Sequence, residues 1–102
     1  MSDPLADAFA RARAEGRALL VGYLPAGYPS VDGALAALRA MVEHGVDVVE
    51  VGLPYSDPVM EGVTIQEAVD AALRAGTTIA DVLQTVAAVA ATGAPTLVMS
   101  YW

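Results

Sequence analysis

The stretch Val46-Asp-Val-Val-Glu-Val51, closed by Gly52 and Pro54, decides how the rest of the chain reads. Its four valines are β-branched and it is too short for a helix, so it predicts a strand. One residue is out of place: Glu50, a carboxylate near the C-terminal end of an otherwise apolar run. Upstream, Ala18-Leu-Leu-Val-Gly-Tyr-Leu24 is a second apolar run, bounded by Pro25 and Gly27, and downstream Pro95-Thr-Leu-Val-Met-Ser-Tyr101 is a third. Continuous apolar runs of this kind belong to parallel strands buried on both faces.

Helical patterns fill the intervals. Asp3-Pro4 reads as an N-cap with proline at the first helical position, followed by the stripe Leu5, Phe9, Ala12 and a stop at Gly16. Ser30 caps a helix with Leu35, Leu38, Met41 and Val42 on its apolar side, closed by Gly45 with His44 in its last turn. Thr64-Ile-Gln-Glu67 has capping-box spacing and predicts a helix stopping at Gly76. Thr78 starts another, with Ile79, Val82, Leu83 and Val86 on one face, ending at Gly93. A helix followed by β-α-β-(α)-α-β predicts an α/β fold with right-handed parallel crossovers and no internal domain boundary over residues 1–102.

Composition narrows the chemistry. The 102 residues carry a formal charge of −7, with five Lys+Arg against twelve Asp+Glu, which excludes a phosphate-tracking surface for nucleic acid. There is no cysteine for a disulfide, thiolate or zinc knuckle, and every basic residue is arginine, which leaves no lysine for a Schiff base. No apolar run reaches the roughly 18 residues of a membrane span, and the acidic start lacks a signal segment, so a cytoplasmic protein is expected.

What remains is carboxylate chemistry. Glu50, Asp57 and Glu61 cluster in sequence around the end of the second strand. In parallel α/β folds that end is where sites are built. Glu50 reads as an acid–base group, as a cap of the strand end, or as the partner of an arginine elsewhere, and Asp57 and Glu61 either as site residues or as solvated loop residues. His44, across a helix from them, is read as structural, and no metal is expected. Neither G-x-G-x-x-G nor a P-loop is present.

Four segments carry a resemblance. Gly22-Tyr-Leu-Pro-Ala-Gly-Tyr-Pro29, Asp47-Val-Val-Glu-Val-Gly-Leu-Pro-Tyr-Ser-Asp-Pro58, Glu61-Gly-Val-Thr-Ile-Gln66 and Leu97-Val-Met-Ser-Tyr-Trp102 resemble the tryptophan synthase alpha subunit, in family order and spacing. The resemblance implies the first three β/α units of a (β/α)8 TIM barrel after an N-terminal helix. It also implies a lyase that splits indole-3-glycerol phosphate into indole and glyceraldehyde 3-phosphate without metal or organic cofactor. The pyridoxal phosphate belongs to the beta subunit, the expected partner in an alpha2beta2 assembly.

By motif match, Glu50 falls on the family's catalytic glutamate, the proton shuttle, and Glu61 on its second acidic residue, which meets the indole nitrogen. Tyr23, Ile65, Met99 and Tyr101 match indole-pocket positions, and Pro54 and Asp57 match the loop that communicates with the beta subunit. The family's second carboxylate is usually Asp followed by Gly-Pro, whereas this chain has Glu61-Gly62-Val63. A shift of about 1 Å in a catalytic group can cost roughly a hundredfold in rate, so slower chemistry is expected. A complete barrel takes about 250 residues, so the 102-residue piece alone is expected to be inactive. The alternatives are a self-associating barrel fragment without catalysis, and a related indole-releasing lyase that works without a beta subunit.

Overall fold

The computed structural model describes residues 3–54 and 62–100. Its elements run α1 (Pro4–Ala14), β1 (Val21–Pro25), α2 (Val31–Glu43), β2 (Val48–Gly52), α3 (Gly62–Arg74), α4 (Ile79–Ala90) and β3 (Thr96–Met99). The three strands form one parallel sheet in the order β1-β2-β3. The expected α/β arrangement is therefore present, with β2 in the middle.

Local chemistry accounts for most element ends. Asp3 accepts hydrogen bonds from the Leu5 and Ala6 amides at 3.1 and 3.2 Å, satisfying two of the first-turn donors of α1. Ser30 accepts from Gly33 at 3.0 Å at the start of α2. Thr78 and Asp81 close a reciprocal capping box on α4, at 3.2 and 2.9 Å. At the other ends, Gly16, Gly45, Gly76 and Gly93 all have positive φ, the left-handed conformation that ends a helix without a Cβ clash.

The core lies between the sheet and α2 and α4. Val49 and Val51 of β2 are fully buried with Leu38 of α2 and Val82 and Val89 of α4, and Leu24, Leu35, Met41 and Val42 pack against them. Side chains alternate along a strand, so Leu24, Val49 and Val51 define the helix-packed face. Val21, Tyr23, Glu50 and Leu97 belong to the opposite face.

Several expectations need correcting. The three strands begin later than the apolar runs do, at Val21, Val48 and Thr96. The expectation of strands buried on both faces holds for Val48, Val49 and Val51 of the central strand and fails for β1 and β3, the two edges of the described sheet, where Val21 is 46%, Leu97 43% and Val98 49% exposed. In α1 the buried positions are Ala8 and Ala12, and Phe9, about 100° further round the helix, is half exposed.

Helix α4 likewise turns Val82, Thr85 and Val89 inward, leaving Ile79 and Leu83 more than 60% exposed. Its sequence is apolar nearly all round, so periodicity alone did not choose between two candidate faces. Helix α3 begins at Gly62, so Thr64 is its third residue and not its cap.

Candidate active site at the carboxyl end of the sheet

The β1–β2 register pairs Tyr23 with Glu50, and the β2–β3 register pairs Glu50 with Leu97 and Gly52 with Met99. Partners in a parallel ladder share a face, so Tyr23, Glu50, Leu97 and Met99 all stand on the side away from α2 and α4. Glu50 is half-buried there, as are Tyr23 and Met99. A carboxylate flanked by an aromatic ring and aliphatic side chains can hold a flat apolar molecule and pass it a proton.

The tyrosine ring has a specific seat. A Cβ placed on Gly52 would stand 2.8 Å from Tyr23 Cζ and 2.9 Å from Cε2, so the ring occupies the space a side chain would need. Gly52 is thus more than a strand terminator: its missing side chain brings the phenol across to the end of β2, two residues beyond Glu50. Sequence reading took Gly52 for a stop signal because glycine spacing alone does not show what approaches it.

Backbone hydrogen bonds hold this end of the sheet together. The Ala26 amide donates to the Gly52 carbonyl at 2.9 Å, and the Leu53 amide to the Met99 carbonyl at 2.9 Å. Pro54, half-buried, follows directly and starts the loop expected to face a partner. Ile65 sits half-buried in the first turn of α3, and α3 packs against β1. Glu61, Asp57 and Tyr101 lie outside the described residues, so the structure brings together Tyr23, Glu50 and Met99, with Pro54 and Ile65 on the segments that follow.

The amino end of the sheet is built differently. Arg17 donates to both Asp47 carboxylate oxygens, at 2.9 and 3.0 Å, and the Leu20 amide donates to the same group at 2.9 Å. The Arg17 hydrogen bonds, then the Leu20 amide, lower the Asp47 pKa to about 2. The same pair, with Glu15 at 3.0 Å, holds the Arg17 guanidinium still more firmly protonated. A cavity of about 590 Å³ opens here, lined by Arg11, Arg17, Val46, Asp47, Thr92 and Pro95 among others. It lies at the end of the strands opposite to Glu50, where barrel folds place stability and not chemistry, and its two central charges already satisfy each other. Sequence reading missed the Arg17–Asp47 pair because 30 positions separate its members and no local pattern links them.

Three parallel strands joined by helices, with a carboxylate at the carboxyl end of the middle strand, place the chain among the parallel α/β proteins that build their sites at that end. A family model described as tryptophan synthase alpha chain matches residues 9–102, and the chain belongs to that family. It is 63% identical over 95 residues to the tryptophan synthase alpha chain of Salinispora tropica, covering 93% of this chain and 36% of that protein. It is 59% identical over 98 residues to the corresponding chain of Nocardia farcinica, covering 96% and 37%.

Among solved structures, tryptophan synthase from M. tuberculosis in its open form superposes with a TM-score of 0.93 at 48% identity, covering all of this chain and 41% of that one. The tryptophan synthase alpha subunit of Legionella pneumophila gives 0.90 at 30% identity, covering 99% and 39%. The chain thus spans a little over a third of the length of the curated relatives it matches. Its three strands correspond to the first part of their TIM barrels.

Proposed function

We propose that the protein built on this chain is a lyase of tryptophan biosynthesis that cleaves indole-3-glycerol phosphate to indole and glyceraldehyde 3-phosphate. The observation that carries this reading is Glu50, half-buried on the open face of the sheet at its carboxyl end, with Tyr23 beside it in register. In the retro-aldol step a proton is added to indole C3, and the bond from C3 to the glycerol carbon breaks. The hydroxyl on that carbon loses its proton as it becomes the aldehyde. Glu50 moves the proton, as acid toward C3 and as base toward the hydroxyl. Glu61 balances the positive charge that develops at the indole nitrogen.

Tyr23, Ile65, Met99 and Tyr101 form the walls that keep the indole ring flat against Glu50. No cofactor enters this scheme, since both proton transfers need only carboxylates. Pro54 and Asp57 face a beta subunit, which takes up the indole with a pyridoxal cofactor of its own. The setting is the cytoplasm; among the described residues no helix is long and apolar enough to cross a membrane.

The test is direct. The intact protein, incubated with indole-3-glycerol phosphate, should release indole and glyceraldehyde 3-phosphate in equal amounts, faster when beta subunit is added. Absence of indole release with and without beta subunit contradicts the lyase reading. Release that beta subunit leaves unchanged contradicts the partnership and favours an independent indole-releasing lyase.

A further inference from the structure

Both ends of the connection between β2 and α4 meet the turn after β1. It departs from Gly52, whose carbonyl accepts the Ala26 amide of the turn after β1. It comes back at Thr77, which lies against Gly27 of the same turn. Gly27 is buried at φ +87°, and a Cβ there would stand 2.7 Å from Thr77 Cγ2 and 2.8 Å from Thr77 Cβ. Thr77 Oγ1 is buried without a hydrogen-bond partner among the described residues. A buried hydroxyl without a partner is a cost to stability, so shape and not hydrogen bonding holds Thr77 in this position. Helix α3, which precedes Thr77, is a rod of 13 residues, about 20 Å long, packed against β1.

We propose that Gly27 and Thr77 are positioning residues: their close contact fixes the far end of α3 and so sets where its first turn, with Ile65, stands relative to Glu50. A rigid helix held at one end transmits a displacement there to the other. The left-handed conformation and the lack of room both require glycine at 27. The significance of Ile65 for catalysis rests on the lyase reading above, whereas the mechanical coupling does not.

The experiment enlarges residue 77. In the intact protein, Thr77→Leu should push α3 from the turn. Amide hydrogen exchange in the first half of α3 should then accelerate by about tenfold or more, while α2 and β2 keep their protection. Turnover of indole-3-glycerol phosphate should fall by about tenfold with KM changed by less than about threefold, because geometry and not affinity is lost. Thr77→Val, which keeps the shape, should restore both readouts. If Thr77→Leu fails to fold, Thr77→Ala, which leaves a gap against Gly27, should show the same localised exchange. Exchange in α3 like the parent's, or acceleration spread evenly over the chain, overturns the proposal. Should the parent cleave no substrate, the lyase reading fails and the exchange pattern still decides the coupling.

Discussion

Tyr23 and Glu50 are Cα partners across the β1–β2 ladder, and the tyrosine ring crosses onto β2 where Gly52 leaves space for it. The ring therefore lies along the same strand as the carboxylate. One register pairing and one missing side chain produce this arrangement.

That relationship predicts the effect of Gly52→Ala. The added methyl cannot coexist with the ring where it stands, so Tyr23 must move away from the end of β2. Overpacking of this sort costs about 1–3 kcal/mol of stability. A ring displaced by about 1 Å should lower indole-3-glycerol phosphate cleavage by up to roughly a hundredfold. Thermal melting and steady-state rates of the intact variant check both expectations, and parental values for both contradict the seat.

The Arg17–Asp47 pair predicts an acid-labile contribution to folding. Asp47 has a pKa lowered from 3.8 to about 2 by the Arg17 hydrogen bonds and the Leu20 amide. A lowered carboxylate pKa stabilises the fold fully above the ordinary value and progressively less as pH falls through the folded one. Its contribution is therefore complete above about pH 4 and is lost toward pH 2. In Asp47→Asn that part of the acid dependence should vanish and the melting temperature at pH 7 should fall. Equal stability of parent and variant at pH 7 contradicts a role for the pair.

Glu61 and Val63 predict a slow enzyme that can be improved. The carboxylate is attached one methylene further out than in the family pattern, and Val63, 71% exposed in the first turn of α3, stands where that pattern has proline. Glu61→Asp with Val63→Pro should lower the barrier to cleavage by about 1–3 kcal/mol if misplacement of the charge limits turnover. An unchanged or lower kcat in the double variant rules that account out.

How much of this was legible in the sequence differs from level to level. Caps and stops at Asp3, Ser30, Thr78, Gly45 and Gly93 are local chemistry, and the structure agrees with each. The parallel order follows from apolar strands alternating with helices, and Glu50 stood out because an acidic residue interrupts valines. Faces were harder. Ile79 and Leu83 fit the apolar period of α4 yet remain exposed, because an all-round apolar helix offers two faces and only its packing partners choose one. Contacts distant in sequence were not legible at all: Arg17 with Asp47, Tyr23 with Gly52, and Gly27 with Thr77 each depend on the folded path bringing small or charged residues together.

Glu50 is proposed to carry the proton between the substrate hydroxyl and indole C3. The most direct measurement is indole release from indole-3-glycerol phosphate by the intact protein and by Glu50→Gln, with circular dichroism confirming that both are folded. The amide has nearly the shape of the carboxylate but cannot shuttle the proton, and loss of a positioned acid–base group removes typically 10²–10⁴-fold in rate. A folded variant with turnover reduced by at least about a hundredfold is expected. A folded variant within about threefold of the parent contradicts it, since a change that small is far below what loss of an acid–base group produces.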